Sequence, residues 1–343
     1  MHRLFRLLGI IAFVILLLLS YLYYIWYVKE IVNVPEGEKI EIYIATNTSL
    51  TEFFEIASER DIFLNIDDFE LFMVLKRYKN IKSGHYFFYS DMTNDQVAKM
   101  LVLGLQTPVN VVITPTRLPQ DLAQKLSKQL ELDSLSIINA LLSDSLASVY
   151  GFSQLDFYTL FIPDSYEMYW NVSVESLLQK MKKEYDLFWN KDRIAKANSI
   201  NLNPKEVVVL ASIVYAEQSQ FPDERPRIAG LYLNRLSLGM LLQSDPTLIF
   251  ALGDFSRKRV LNKDKELDSP FNTYKYAGLP PGPIYSPDKK SIDAVLNPEK
   301  NNYLYMCAKD DFSGYHAFAS NLNQHNINAR KYQRALNKAR VFK

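Results

Sequence analysis

From Leu7 to Tyr27 the chain carries no charged residue and reads LLGIIAFVILLLLSYLYYIWY. About 20 apolar residues cross the hydrocarbon core of a bilayer as a helix. The run is longer than the roughly 7–15 apolar residues of a cleavable signal peptide, and no small-x-small cleavage site follows it. It ends in Tyr21, Tyr23, Tyr24, Trp26 and Tyr27, and aromatic rings favour the membrane interface. The helix is therefore expected to stay as a transmembrane anchor over 7–27; a buried helix of a soluble domain is the competing reading. His2, Arg3 and Arg6 precede the run, and Lys29 with Glu30 follows it. That bias predicts a cytoplasmic N-terminus (residues 1–6) in a single-pass protein whose bulk lies outside the cytoplasm. A span without charges offers no path for an ion or polar solute.

The rest of the 343 residues suffices for two or three domains. With 39 Lys+Arg against 38 Asp+Glu the net charge is +1, which argues against nucleic acid as a partner. Twenty-two Tyr and 20 Phe supply ample core. Cys307 is the single cysteine, so neither an internal disulfide nor a cysteine-based zinc site is expected. Four histidines, His2, His85, His316 and His325, are too few for a His-rich metal centre. No metal and no cofactor are expected.

Three zones follow the anchor. Residues 38–106 begin with Ile40, Ile42 and Ile44 in alternation, a strand. A helix capped by Ser49, a second helix over Asp67–Arg77, an aromatic strand SGHYFFYS and a helix Asn94–Leu103 ending at Gly104 complete a small α+β module. Residues 107–195 open on the strand VNVVITP. Helices follow over Pro119–Leu130 and Leu135–Leu142, then an aromatic loop or short strand around Pro163-Asp164, then a helix over Val174–Asn190. Residues 196–343 hold helices Pro204–Gln218 and Arg227–Leu238, a loop-rich stretch, helix Lys289–Leu296, strand NYLYMCAK and a closing helix Asn326–Asn337. Cys307, in that strand, reads as a small core residue.

Chemistry concentrates in the last zone. On helix 204–218, Val207, Leu210, Ala211, Val214 and Gln218 share one face, and Glu217 lies at its edge, about 80° from Val207. Partial desolvation there raises a carboxyl pKa and lets it hold a proton near neutral pH; an ordinary boundary glutamate is the alternative. Asp245 as N-cap before Pro246 starts a helix, which accounts for both residues and leaves Gln243 unexplained. Asn272, Thr273 and Tyr274 are of the types that hydrogen-bond or stack on sugars, although the following Pro-Pro-Gly also makes a stiff turn. His316 is either a polar contact that handles protons or a structural histidine.

Five blocks, taken together, resemble the endolytic murein transglycosylases, the MltG or YceG-like family. They are ASIVYAEQ (211–218), IAGLYLNRLSLGMLLQSDPTLIFALG (228–253), FNTYKYAGLPPGPIYSP (271–287), YLYMCAK (303–309) and HAFASNLNQHN (316–326). SGHYFFYSDMTNDQVAKMLVLGLQ (83–106), FIPDSY (161–166) and the single N-terminal span are similar too. The resemblance implies an α+β architecture of one N-terminal transmembrane helix, a small LysM-like glycan-binding module over 38–106, a connecting part over 107–195 and a catalytic domain over 196–343. It implies a bacterial inner-membrane lyase that cuts peptidoglycan glycan strands between N-acetylmuramic acid and N-acetylglucosamine, leaving 1,6-anhydro ends, with peptidoglycan synthases as partners. The family's catalytic glutamate falls on Glu217 and its polar cleft residues on Gln243, Asp245, Thr247, Asn272 and Tyr274, with His316 in the last motif.

The sequence also departs from the family pattern. Tyr215 stands where many relatives carry a second glutamate, Tyr158-Thr159-Leu160 where Glu-Gly is expected, TPTR (114–117) where Pro-Glu-Gly is common, and Tyr315 between Gly314 and His316. Two readings compete with the lyase. One is a silent, membrane-anchored peptidoglycan-binding scaffold, which the Glu217 block disfavours. The other is a hydrolytic muramidase using Glu217 and Asp245 as an acid–base pair.

Overall fold

The computed structural model describes residues 2–257 and 260–339. Contacts divide the chain into two compact units: residues 1–111, 128–132 and 167–173 form the first, and 112–127, 133–166 and 174–343 the second. Residues of the expected connecting part, 107–195, are thus shared between the two.

The first unit starts with α1 (His2–Tyr27), of which Arg3–Tyr27 is apolar and long enough to cross a membrane. Then come β1 (Lys39–Ile44), α2 (Leu50–Glu59), α3 (Ile66–Leu75), β2 (Gly84–Tyr89) and α4 (Asn94–Leu103). The expected order of strands and helices is found. β1 and β2 pair antiparallel, with Ile42 opposite Tyr86 and Tyr43 opposite His85. The alternation in β1 sends Ile42 and Ile44 inward onto Phe53, Phe69, Phe72 and Phe88. Ser49 and Glu52 form a capping box at α2, and Gly104 ends α4 in the left-handed region at φ 72°. The base of α1 belongs to this core. Ile25 is buried, and Asn94 donates from Nδ2 to its carbonyl at 3.0 Å.

β3 (Val109–Ile113) follows, then α5 (Pro119–Ser127), α6 (Ser134–Leu141), α7 (Asp144–Val149), β4 (Asp164–Met168), α8 (Val174–Phe188) and α9 (Lys191–Ser199). The boundary between the units runs through β3 and β4. The second unit continues with α10 (Pro204–Glu217), α11 (Arg225–Ser237), α12 (Asp245–Leu252), α13 (Lys289–Leu296), β5 (Tyr305–Ala308), β6 (His316–Ala319) and α14 (Leu322–Lys338). β5 and β6 are an antiparallel hairpin with Ala308 opposite His316, and α14 packs on it.

α10 is the centre of the second unit and packs against α11 and α13. Asn203 caps it with Glu206, and Pro204 fills its first turn, where no N–H partner is needed. Its burial corrects the sequence reading. Every residue from Val207 to Val214 is buried, so the helix has no single apolar face. Glu217 is partly exposed because α10 ends there, at the wall of a cleft, not because it lies at the margin of a stripe.

The cap of α12 is a second correction. Ser244 is the N-cap and Asp245 already the first helical residue. The polar substitutions relative to the family pattern find local partners. Tyr315 stacks on Phe221 with centroids 4.3 Å apart, and its hydroxyl donates to Asp223. Arg117 donates to the Tyr285 hydroxyl and lies over the Phe255 ring. Tyr158 is buried, and Tyr215 packs edge-on against Tyr285.

Candidate active site

Glu217, the last residue of α10, opens into a cleft of about 280 Å³ in the second unit. Its Oε1 accepts from the Ser244 hydroxyl at 2.6 Å and from the Tyr232 hydroxyl at 2.8 Å. Two donors occupy the lone pairs of that oxygen, and no described residue bonds Oε2. The carboxyl is thus oriented by one oxygen and presents the other.

Its acidity is set by opposing effects. Desolvation raises the pKa, and the hydrogen bonds from Ser244 and Tyr232 and the nearby His316 pull it down; the net direction is upward. Its place at the C-terminal, negative end of a helix works in the same upward direction. Burial and the adjoining Glu217 hold the Tyr232 phenol well above its ordinary value, so it stays a donor.

Of the residues singled out from sequence, Glu217, Gln243, Asp245, Tyr274 and His316 line this cleft. The Tyr274 hydroxyl donates to Asp245, and burial followed by that bond raises the tyrosine's pKa. Gln243 has φ 52°, the left-handed region, which a non-glycine residue seldom adopts. Thr247 and Asn272 do not reach the cleft. Thr247 is buried and donates to the Ser244 carbonyl, and Asn272 is buried with its amide given to the carbonyls of Lys265 and Leu267. Both hold the loop that carries Ser244 and Tyr274: Thr273 bonds Thr247 and the Ser244 amide, and Asn272 Oδ1 takes the Tyr274 amide.

Sequence reasoning missed Tyr232, Ser244 and Glu224. Tyr232 follows Glu217 by 15 residues, and only helix packing brings them together. Ser244 adjoins the named Gln243 and Asp245 but was hidden behind the cap assigned to Asp245. Glu224 is almost fully buried and accepts from the His316 backbone amide, from His316 Nδ1 at 2.8 Å and from Gln218 Nε2 at 2.7 Å. Burial opposes its ionisation, yet these bonds, His316 foremost, outweigh burial and hold its carboxyl below the usual range. The ionised Glu224 accepts only, so His316 Nδ1 carries the proton. Cys307 is also corrected: it is half-buried on the cleft wall, not in the core.

The first unit has a groove of its own, about 700 Å³, on the sheet face. Tyr43, Phe87 and Trp170 line it with Glu41, Asn110 and Gln129. Tyr43 stacks on the buried His85 at 4.7 Å, Trp170 meets Tyr43 edge-on at 5.1 Å, and His85 Nε2 lies 2.8 Å from Glu41.

The cleft presents one oriented carboxyl at the end of a buried helix in an α+β unit, the arrangement that general acid–base chemistry on a single carboxyl requires. The chain belongs to the YceG-like family, which it matches over residues 42–331. It is similar to the endolytic murein transglycosylase of Bacillus subtilis (strain 168), with 29% identity over 314 residues, covering 85% of this chain and 84% of that protein. A protein of the same name from Streptococcus pneumoniae (strain R6) is 26% identical over 298 residues, covering 77% of this chain and 53% of the relative. The chain therefore spans about half the length of the pneumococcal protein. Among solved structures, a YceG-like protein of Listeria monocytogenes superposes with a TM-score of 0.57 at 28% identity, covering 85% of this chain and 99% of that one.

Proposed function

We propose that the chain is a membrane-anchored lytic transglycosylase that cuts peptidoglycan strands from within, between N-acetylmuramic acid and N-acetylglucosamine. The observation that carries this reading is the Glu217 carboxyl, with one oxygen pinned by Ser244 and Tyr232 and the other open to the cleft. The relatives named endolytic murein transglycosylase support it.

One carboxyl suffices for this reaction, whereas ordinary glycosidases use two. Glu217, protonated through its raised pKa, gives its proton to the glycosidic oxygen as the bond from the muramic C1 breaks. The C6 hydroxyl of the same sugar then attacks C1, and its proton goes to the Glu217 carboxylate. A 1,6-anhydro ring results, the acid is restored, and no water is consumed. Gln243, Asp245, Tyr274 and His316 bind the sugars from the cleft wall, and His316, with Nδ1 held by Glu224, offers Nε2 to a substrate group. Residues 38–106 serve as a LysM-like glycan-holding module. The aromatic groove on its sheet, completed by residues 108–110, 128–129 and Trp170 of the same unit, is of a kind on which pyranose faces stack and supports that role. The N-terminus lies in the cytoplasm, the bulk of the chain acts outside the inner membrane, and peptidoglycan synthases are its partners.

The test is fragment mass from purified glycan strands. Glu217→Gln is expected to lower anhydro-product formation by about 10²–10⁴-fold, the usual contribution of general acid–base catalysis. Wild-type fragments heavier by one water point instead to hydrolysis with Asp245 as second carboxyl, and the lyase reading then fails. Undiminished activity in Glu217→Gln overturns the assignment of the acid.

A further inference from the structure

α3 is apolar along its inner face and, from Leu71 onward, on the opposite face as well. Phe69, Phe72 and Met73 point into the core and are fully buried. Leu71, Val74 and Leu75, at the i, i+3, i+4 spacing of the other face, are 48%, 67% and 54% exposed. Three large aliphatic side chains exposed together over the last turns of one helix form a patch of the kind that marks an interaction surface.

What lies beside it shows what covers the rest. The last turn of α1 packs directly on α3: Trp26 and Tyr27 meet Phe72 edge-on at 5.4 and 6.3 Å. Lys76, just past the end of α3, donates to the Tyr27 hydroxyl. Trp26 and Tyr27 close the apolar span, so α3 sits at the level where such a span leaves the hydrocarbon. The chain then turns sharply at Arg77, φ 58°, and presents Lys76, Arg77 and Lys79 to solvent. From Leu71 to Ser90 there is no acidic residue. The acids of the helix, Asp67, Asp68 and Glu70, all precede Leu71: Asp67 and Glu70 are exposed toward the start of the same face, and Lys29 pairs with Asp68 at 3.8 Å. Exposed aliphatic side chains with a basic rim are the composition of a surface that lies in the lipid interface against anionic headgroups.

We infer that the outer face of α3 is a second membrane contact: Leu71, Val74 and Leu75 seat in the interface of an anionic bilayer, with Lys76, Arg77 and Lys79 on its headgroups. This rests on the reading of α1 as a membrane anchor. Two attachments, a span and a lipid-seated helix, hold the first unit in one orientation on the bilayer.

The experiment uses the full chain in vesicles of phosphatidylcholine with and without phosphatidylglycerol, in a Cys307→Ala background. An environment-sensitive fluorophore is placed in turn at Leu17→Cys in the span, Val74→Cys on α3 and Glu55→Cys on the exposed side of α2. Quenchers are carried either on lipid chains or in the water. Lipid-borne quenchers are expected to act on Leu17 and Val74 and to spare Glu55. Quenching at Val74 is expected to rise several-fold with phosphatidylglycerol and to lose that rise in Lys76→Glu, Arg77→Glu, Lys79→Glu. If Leu17 is quenched from the lipid and Val74 behaves like Glu55, the inference fails and the anchor stands. If Leu17 itself is not reached, the anchor reading fails first. Should Val74 be shielded from water and from lipid alike, a protein covers the face and the inference is again overturned.

Discussion

Ser244 illustrates how one residue serves two structures. It stands at the N-cap of α12, where a serine hydroxyl ordinarily accepts from the helix, but here the hydroxyl donates to Glu217. That bond lowers the Glu217 pKa against a larger upward push from desolvation. Ser244→Ala therefore raises the pKa further. The acid stays protonated to higher pH, and the alkaline limb of the kcat/KM profile is expected to move upward while the rate falls. A hydrogen bond to a charged group contributes about 1.5–3 kcal/mol, which corresponds to roughly 10–100-fold in rate where orientation depends on it. An unmoved profile would separate the serine from the acid. At this scale the sequence singled out Glu217 through a motif, and the structure places that residue on the cleft wall. Thr247 and Asn272 misled because their residue types suit a sugar as well as a buried loop, and only their burial tells the two apart. Glu224 carried no local signal: its partner His316 is 92 residues away.

Among the elements, α11 depends on a glycine. A Cβ on Gly230 would lie 2.4 Å from the Glu299 carbonyl oxygen and 2.7 Å from Asn301 Nδ2. Alanine favours a helix over glycine by about 1 kcal/mol, but the clash is with backbone, and overpacking costs typically 1–3 kcal/mol. Gly230→Ala is therefore expected to lower stability in a denaturant melt and, because α11 carries Tyr232, to weaken activity further than the loss of fold explains. A stabilised variant would contradict this. Helices with strong caps or apolar spacing, such as α2, α4, α10 and α13, were legible to within a few residues. α7 and α9 were not, because each buries a single alanine, Ala147 or Ala197, and so shows no periodicity. β6 has four residues, too few for alternation to register, and exists through pairing with β5.

For the whole molecule, the unforeseen feature is that the first unit is assembled from three stretches of chain. Its two short returns are tied by Glu131 to the Thr46 hydroxyl at 2.6 Å and by Asn171 to Ser83 at 2.9 Å, pairings that no local pattern announces. The leading segment belongs to it as well, since Ile25, Ile31 and Val32 are 6%, 3% and 2% exposed. A chain starting at residue 24 is expected to melt like the full protein. One starting at residue 34 loses three buried side chains at about 1.5–3 kcal/mol each and is expected to melt roughly 10 °C lower or more. Equal melting of the two in calorimetry would show that the segment adds nothing to the core. The bond from Asn94 to the Ile25 carbonyl has a further consequence. A flexible tether lets its cargo wander over a range of heights that widens with the square root of its length. Here the apolar helix enters the folded unit with no tether between them. On the anchored reading the sheet of β1 and β2 rides at one fixed height above the bilayer, and the first unit works as a ruler that starts at the membrane surface.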